Sequence, residues 1–473
     1  MKKKHIHFVG VKGVGMTPLA LIAKQAGLQV TGSDIGKEFI TDASLRKAEI
    51  KPYVDFDASH VATPDLVITT GAHGGFDNIE VVTAKVKGIP VVTQGEAVGM
   101  FMQGDIFGKK QRGVSVTGTH GKTTTTAMLA TVLSESGINP SYLIGTGDVG
   151  SLPSPGHFGK GNIFVAEADE YITEPKYDKK IKFLWQHPEF AIITNIEYDH
   201  PDVYATIDDV RAAFSEFINN ISSKGALVAC GDDREIQKII TTTDKRVLTY
   251  GFHETNDYVL KSVHILGDQT FFWVESKGMS LGEFSIMVPG EHNALNALAV
   301  LIVCLELGLT VDQIRKGLRA FRGSKRRLEF IGDLGTGAKV YDDYAHHPTE
   351  IRKTLTTLRK QYPNKKIMCI FQPHTYSRTK MLFQEFTKAF DNIDELFVII
   401  TDIFASARES VDDSVSGKKL VDAIVPSKKD VHFLGDLSDV VQYINEKQLR
   451  EDTILVTMGA GDVYTIHSKL EFV

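Results

Sequence analysis

The chain has 473 residues, of which 42% are hydrophobic and 24% are charged, and its formal net charge is −6. At roughly 100–200 residues per domain, this length favours three domains over a single core. The composition is typical of globular proteins, and the mild acidity gives no broad basic field, so we expect no nucleic-acid partner.

The sequence predicts neither a signal peptide nor a membrane-spanning segment. The basic start MKKKHIHFVGV lacks an adequate apolar stretch for a signal peptide, and no apolar run approaches the roughly 18 residues of a membrane span. The three cysteines are far apart and form no CxxC pair. We therefore expect reduced thiols, a cytoplasmic location and no membrane insertion.

The first segment alternates short apolar strands with helices. A strand at His5–Val9 runs into a glycine-rich turn, a helix follows to about Gly27, and further strands are predicted at 29–31, 66–69 and 90–93. This pattern predicts a Rossmann-like N-terminal α/β domain over residues 1–108, with a parallel sheet.

The glycine-rich turn of this domain indicates a phosphate site. Gly13 and Gly15 open a helix, and Asp34 lies about twenty residues on, where a ribose-binding acid would lie. Lys12 occupies the position of the second glycine of a dinucleotide fingerprint, so NAD is not indicated. A tight turn that only packs strand against helix is the alternative.

A second glycine-rich turn, in GVSVTGTHGKTTTTAMLATVL, joins a strand to a helix at residues 113–133. Gly118 and Gly121 allow backbone N–H groups to approach phosphate oxygens, Lys122 can reach the terminal phosphates, and Thr123 can bind Mg²⁺. Val116 stands where the standard P-loop has glycine, so the loop is shorter. We predict a central P-loop ATPase-like domain over residues 109–322.

Polar side chains follow two later strands of this domain. The apolar run from Ile163 ends in Glu167, Asp169 and Glu170, and Glu167 and Asp169 share a face if the strand continues. A strand at 190–194 precedes His200. Beside a phosphate loop these groups suit Mg²⁺, whereas alone they would be a solvated acidic end and an ordinary histidine.

Two further groups are candidates for nucleotide binding. Asn293 and Asn296 lie three apart, on one helical face, and their amides could contact a base edge; helix capping is the alternative. A cluster of three basic residues ending at Arg327 could reach phosphates bound next door, or it could be a solvated turn.

The third segment, residues 323–473, has strands at about 340–343, 367–371, 396–400 and 453–457. Each strand ends in polar residues, which predicts a C-terminal doubly wound α/β domain with His347 and Arg378 at one sheet edge. A phosphate loop, carboxylates and a separate acceptor domain suggest transfer of the ATP γ-phosphate to a carboxylate, followed by attack of an amine whose own carboxylate Arg378 holds.

Over almost its whole length the chain resembles the Mur ligases, the ATP-dependent amide ligases of peptidoglycan precursor synthesis. The motifs that carry the resemblance are IHFVGVKGVGM, GTHGKTTTT, EADE, TNIEYDH, HNALNALA, KRRLE, DDYAHHPTEI, FQPHTYSRT and MGAGD. The last three resemble the branch that adds L-alanine to UDP-N-acetylmuramate.

The resemblance implies ATP and Mg²⁺ as cofactors, UDP-N-acetylmuramate and L-alanine or a peptide as substrates, and a monomer or weak homodimer. It implies nucleotide binding by Gly118, Thr119, His120, Gly121, Lys122, Thr123, Thr124, Asn293, Asn296, Arg327 and Asp343. It implies substrate binding by Gly13, Gly15, Met16, Asp34, Thr69, Thr70, His347 and Arg378. Mg²⁺ would be held by Thr123, Glu167 and His200, and the catalytic residues would be Lys122, Glu167, His200, His347 and Arg378.

Three positions depart from the alanine-adding branch. Lys12 replaces a usual glycine, Thr375 stands where that branch carries arginine, and EADEYITEPKYDKKIKF is more similar to the recycling ligase that adds a whole peptide. The alternatives are therefore a peptide-adding ligase and a non-catalytic nucleotide-binding relative. The joint presence of Lys122, Glu167, His200 and Arg378 argues against the non-catalytic alternative.

Overall fold

The structure is a computed structural model that describes residues 4–391, 393–405, 409–425 and 430–473. It contains three large sheets built mainly of parallel strands that alternate with helices, so the α/β class is confirmed. The sheets fall within the three predicted residue ranges, while the boundaries at 108 and 322 stay predictions. No described helix is long and apolar enough to cross a membrane.

The first sheet has five parallel strands in the order β3-β2-β1-β4-β5. The strands are β1 His5–Val9, β2 Gln29–Asp34, β3 Tyr53–Val54, β4 Leu66–Thr69 and β5 Val91–Thr93, and the helices are α1 Thr17–Gln25, α2 Asp42–Lys47, α3 Ile79–Val86 and α4 Gln94–Gln103. β1 is central and fully buried, which brings the glycine turn after it to the middle of the carboxyl edge.

The central sheet has ten strands in the order β17-β16-β15-β14-β13-β12-β6-β9-β7-β8. Its strands are β6 Arg112–Thr117, β7 Ser141–Leu143, β8 Gly156–His157, β9 Ile163–Glu167, β12 Phe190–Ile193, β13 Ala226–Cys230, β14 Val247–Gly251, β15 Tyr258–Leu266, β16 Gln269–Ser276 and β17 Met279–Ile286. A separate hairpin pairs β10 Ile172–Glu174 with β11 Asp178–Ile181. The helices are α5 Lys122–Glu135, α6 Ile207–Asn219, α7 Arg234–Ile240, α8 Glu291–Glu306 and α9 Val311–Ala320.

The far side of the central sheet is an antiparallel extension formed by β15, β16 and β17, which the sequence analysis did not predict. In β16 burial alternates along the strand, but the less buried face carries Phe271 and Trp273, so apolar and polar residues do not alternate in the sequence. The central domain is therefore a mixed sheet, with the predicted parallel part around β6.

The third sheet has the order β18-β19-β23-β20-β21-β22, with only β18 antiparallel to its neighbour. The strands are β18 Glu329–Asp333, β19 Lys339–Asp343, β20 Lys366–Phe371, β21 Leu396–Ile400, β22 Val431–Phe433 and β23 Thr453–Met458. The helices are α10 Pro348–Gln361, α11 Tyr376–Met381, α12 Phe383–Thr387, α13 Gly417–Ile424 and α14 Leu437–Lys447. The polar ends of β19, β20, β21 and β23 lie at one edge, as predicted.

The helix after the phosphate loop is buried on nearly every side. From Thr123 to Leu133 each residue of α5 is buried, and the helix packs against α8 and α9 as well as against the sheet. A helix that is enclosed all round cannot shift without breaking its packing. The loop at its N-terminus is thus held by the largest core of the protein.

The first and central domains approach closely at Gly99 in α4. A Cβ atom at this position would overlap the carbonyl oxygen and carbonyl carbon of Trp185, which lies in a short 3₁₀ turn at residues 182–185. Only glycine leaves room for this backbone, which explains a residue that is otherwise unfavourable within a helix.

We predict that Gly99→Ala lowers the thermal unfolding midpoint of the protein. Alanine is favoured over glycine in a helix by about 1 kcal/mol, but an overlap with backbone costs typically 1–3 kcal/mol because Trp185 cannot rotate away. Differential scanning calorimetry measures the sum. Gln103→Ala on an exposed position of the same helix should leave the midpoint almost unchanged, and a raised midpoint for Gly99→Ala would contradict the close approach.

Candidate functional site

The three sheet edges meet at a cavity of about 530 Å³. The first domain contributes the turn after β1, the central domain contributes the phosphate loop and the ends of β9 and β12, and the third domain contributes the ends of β19 and β20. Of the predicted residues, this cavity brings together Gly13, Gly15, Met16, Thr70, Thr119, His120, Gly121, Lys122, Thr123, Glu167, His200, Arg327 and Arg378.

Two glycines shape the phosphate loop. Gly118 and Gly121 have φ angles of +130° and +83°, which other residues adopt only with strain. A Cβ on Gly121 would also lie 2.9 Å from Oδ1 of Asn296. Gly121 immediately precedes α5, and no described side chain caps that helix, so the N–H groups of its first turn are available to an anion.

Lys122 is folded back over the loop. Its Nζ donates to the Gly118 carbonyl at 2.6 Å and to Oε1 of Glu170 at 2.8 Å. Burial alone would lower the pKa of Lys122, but Glu170 and Asp169 raise it, so the ammonium group stays charged. Glu170 therefore holds the position that an anionic ligand of Lys122 would take.

Thr123 and Glu167 form the predicted metal-binding pair. The Thr123 hydroxyl donates to Oε2 of Glu167 at 3.2 Å, and Nη2 of Arg327 donates to the same hydroxyl oxygen at 3.2 Å. The other carboxylate oxygen of Glu167 accepts from the Gly145 N–H at 2.6 Å. Burial raises the pKa of Glu167, an effect that a bound cation would reverse. This oxygen-rich pair fits Mg²⁺.

His200 lies beside the acidic residues that follow β9, next to Thr123 and Glu167. Nε2 of His200 lies 3.7 Å from a carboxylate oxygen of Glu170 and 3.7 Å from one of Asp199. β9 ends at Glu167, so the strand does not continue and the condition for Asp169 to share its face is not met. Asp169 still lines the large cavity, where its carboxylate pairs with Lys182, while its backbone carbonyl accepts from the Phe183 N–H.

A second cavity, of about 240 Å³, lies on the other side of the phosphate loop. Its lining includes Thr124, Asn293 and Asn296 from the central domain and Asp343 from the third domain. Gly290 occupies the N-cap of α8 while both asparagines lie within the helix, so the capping alternative is wrong. Because His120, Gly121 and Arg327 line both cavities, a ligand could extend from one to the other past the loop.

Asp343, in the lining of the smaller cavity, is held in place by two hydrogen bonds. Its carboxylate accepts from the Ala345 N–H at 3.0 Å and from the Thr354 hydroxyl at 2.6 Å. Burial raises the pKa of Asp343 to about 6. The group is therefore mostly ionised at pH 7 and able to accept hydrogen bonds there.

Arg378 is paired within the protein. Its Nε donates to Oδ1 of Asp199 at 2.8 Å and its Nη2 to Oδ2 at 3.3 Å, and both residues are buried. Arg378 keeps the pKa of Asp199 well below its usual range in spite of burial. The remaining edge of the guanidinium group, at Nη1, faces His374 within the large cavity.

Two predicted substrate residues of the first domain are not at the cavity. Asp34 is buried, and its carboxylate accepts from the backbone N–H groups of Lys12 and Ile35 at 2.7 and 2.8 Å. Thr69 is also fully buried within β4. In this arrangement Asp34 stabilises the glycine turn, and the predicted roles of both residues in substrate binding stay predictions.

Sequence reasoning assigned no role to Glu197 or Glu350, which surround His120. Nδ1 of His120 lies 3.1 Å from Glu350, and its Nε2 lies 3.6 Å from Glu197. Burial would lower the pKa of His120, but these carboxylates raise it to about 9, while His120 helps to lower that of Glu197 to about 2. The signal was available, since Glu197 follows a strand end and Glu350 is the third residue of α10.

The predicted residue His347 adjoins this group from the third domain. It caps α10, its ring lies 4.6 Å from that of His120, and its Nδ1 lies 3.5 Å from Oε2 of Glu197. Burial and the nearby charge of His120 lower the pKa of His347 to about 4, so this imidazole is neutral at pH 7.

Comparison with protein families covers most of the chain. The family model described as "Mur ligase family, catalytic domain" matches residues 5–105, "Mur ligase middle domain" matches 116–304, and "Mur ligase, glutamate ligase domain" matches 326–461. Each of the three matched segments covers one of the three large sheets, except that β6 begins at Arg112, before the middle segment.

Curated relatives match from end to end. The UDP-N-acetylmuramate–L-alanine ligase of Desulfitobacterium hafniense is 39% identical over 98% of this chain and 99% of its own length. The enzyme of the same name from Caldanaerobacter subterraneus is 38% identical over 99% and 97%.

Solved structures show the same architecture. The UDP-N-acetylmuramate–alanine ligase MurC of Thermotoga maritima has a TM-score of 0.80 and 31% identity, covering 98% of this chain and 97% of that one. A murein peptide ligase of Psychrobacter arcticus has a TM-score of 0.70 and 25% identity, covering 99% and 98%. From these matches and the three family domains, the chain belongs to the Mur ligase family.

Proposed function

We propose that this protein is an ATP-dependent ligase that joins L-alanine to the carboxylate of UDP-N-acetylmuramate, in peptidoglycan precursor synthesis. The observation that carries the proposal is the convergence of a glycine turn, a phosphate loop and Arg378 from three domains on one cavity. The relatives that match along the whole chain carry the name of this activity.

The nucleotide would span the two cavities. Its base would lie near Asn293 and Asn296, and its phosphates would lie at the uncapped start of α5, where helix N–H groups and Lys122 supply positive charge. For this to happen Lys122 must exchange Glu170 for phosphate. A charged amine that is already buried and desolvated stabilises developing negative charge strongly.

Thr123, Glu167 and His200 would hold Mg²⁺ beside these phosphates. When bound, this ion would neutralise negative charge on the phosphoryl group that is transferred. The partly buried carboxylate of Glu167 is fixed by Gly145 and Thr123, so its position does not depend on the ion.

In the reaction, a carboxylate oxygen of UDP-N-acetylmuramate attacks the γ-phosphorus and ADP leaves; the amine nitrogen then attacks the acyl carbon and phosphate leaves. The amine must lose protons to a neutral base. Burial lowers the pKa of His346 to about 4, and its Nδ1 lies 2.9 Å from the Tyr344 carbonyl, to which only a protonated Nδ1 can donate. Nε2 of His346 is then the free acceptor, and His346 lines the large cavity.

A peptide-adding ligase is the second candidate. The Psychrobacter arcticus structure supports it, as do Thr375 in place of arginine and the chain from Glu167 into the β10–β11 hairpin. A ligase that adds a peptide would not need to bind the carboxylate of a single amino acid as strongly.

The remaining expectations concern the environment of the protein. All three cysteines are unpaired and buried, which fits a reducing compartment, and we propose that the protein works in the cytoplasm. A monomer or weak homodimer stays the predicted oligomeric state.

We predict that Lys122→Met lowers kcat for ADP release by at least about 100-fold with the fold intact, because it removes the cation that faces the transferred phosphoryl group. Steady-state release of ADP and circular dichroism measure the two parts. Lys238→Met, which breaks a surface pair with Glu235 in α7, is the matched control. Full turnover by a folded Lys122→Met variant would contradict the phosphate-loop assignment.

We predict that Glu167→Gln and His200→Asn raise the Mg²⁺ concentration needed for half-maximal activity, since each removes a ligand of the ion. Activity is titrated with Mg²⁺ at fixed ATP. Glu189→Gln removes a carboxylate that pairs with Arg112 near the opposite end of the central sheet and should not move the titration. An unchanged titration for both test variants would leave them as structural residues only.

We predict that wild-type protein uses L-alanine with a high KM and that Thr375→Arg lowers it. A charge-assisted hydrogen bond contributes about 1.5–3 kcal/mol, which is about ten- to hundredfold in affinity. Thr375 has φ +68°, an unusual conformation for a β-branched side chain, so arginine adds no new backbone strain. Ligation of a peptide but of no free amino acid would instead favour the second candidate.

A further inference from the structure

His120, Glu197 and His347 form a cluster that no step of the proposed reaction uses as a unit. Among the described residues they are the one group of three His, Cys, Asp or Glu side chains whose ligand atoms all lie within 4.8 Å of one another. The first two belong to the central domain and His347 belongs to the third domain, so the cluster spans the seam between them.

Two of the three distances between donor atoms in the cluster are close to those of a tetrahedral metal site, and the two imidazoles each offer a nitrogen within 4.8 Å of the other. Oε2 of Glu197 lies 3.6 Å from Nε2 of His120 and 3.5 Å from Nδ1 of His347. Ligand bonds of about 2.0–2.1 Å around Zn²⁺ place neighbouring donor atoms about 3.3 Å apart. Small side-chain shifts would therefore bring the three atoms to one ion.

The imidazole nitrogens are poorly satisfied without an ion. His120 is 5% exposed, and its ring nitrogens contact the carboxylates of Glu350 and Glu197 at 3.1 and 3.6 Å without a hydrogen bond of acceptable geometry. Nε2 of His347 has no hydrogen-bond partner among the described residues. Nδ1 of His347 accepts only a long bond of 3.3 Å from the Thr349 N–H. Buried polar atoms without partners are uncommon in native proteins, and a missing ion is one explanation.

The cluster also has a hydrogen-bond partner that orients one of its ligands, and a cavity through which an ion could enter. The Thr349 hydroxyl donates to Oε2 of Glu197 at 2.6 Å, the kind of contact that orients a ligating carboxylate. His120 and Glu197 line the smaller cavity, so an ion could reach the cluster and keep a fourth position open to that cavity.

The chemistry of the cluster differs from that of the predicted Mg²⁺ site. Two imidazoles and one carboxylate are typical ligands of zinc and similar transition ions, whereas Mg²⁺ prefers oxygen.

We propose that His120, Glu197 and His347 form a binding site for Zn²⁺ or a similar transition ion, which bridges the central and third domains beside the phosphate loop. The site does not depend on the proposed ligase reaction. A bound ion would link His347 of the third domain to His120 of the phosphate loop. It would also occupy space next to the nucleotide cavity.

The test uses the full chain after treatment with a chelator, titrated with Zn²⁺ against a chromophoric chelator without nucleotide. We expect one zinc ion per chain, with affinity weakened at least about tenfold in Glu197→Gln and in His347→Asn. Because His347 also caps α10, circular dichroism checks its fold, and His120→Gln serves as a further variant on the other side of the ion.

The matched control is His200→Asn, which alters the predicted Mg²⁺ site and should leave zinc affinity unchanged. Co²⁺ in place of zinc should give visible absorption bands typical of four-coordinate geometry, and these should be lost in Glu197→Gln. Zinc binding that is lost in His200→Asn but kept in folded Glu197→Gln would place the ion elsewhere and overturn the proposal, as would the absence of zinc binding to the wild-type chain.

Discussion

The buried ion pair between Arg378 and Asp199 is the contact on which the shape of the site depends. It joins helix α11, which follows β20 in the third domain, to the chain after β12 in the central domain, with both side chains almost inaccessible to water. Removing one partner of such a pair leaves an uncompensated buried charge, which costs about 3–5 kcal/mol. The pair therefore fixes how the two domains approach, and with it the positions of both cavities.

This constraint explains why charged groups at the site are already paired in the absence of ligands. Lys122 is paired with Glu170, His120 with Glu350, and Arg378 with Asp199. Buried charges are stable only with partners. Arg378 can keep Asp199 and offer its remaining edge to a ligand, whereas a phosphate that binds Lys122 must displace Glu170. At Lys122, binding is then an exchange of anions, which favours phosphate over neutral ligands.

Much of the fold followed from local patterns in the sequence. Strands β1, β4 and β21 have the predicted bounds, because their apolar runs end at glycines or polar residues. The half-buried strands of the antiparallel extension gave no such signal. At the site, the phosphate loop could be predicted, but the pairing of Arg378 with Asp199 could not, since it joins residues 179 apart in the chain and depends on how two domains pack.

The order of strands in the third sheet has a consequence for how the protein is made. β23, the last strand of the chain, lies between β19 and β20 and pairs with both. On a ribosome that adds about 5–20 residues per second, the edges of β19 and β20 must wait several seconds for it. Until β23 has been synthesised these two edges are open to pairing with other chains, so the nascent third domain is exposed to aggregation during that interval.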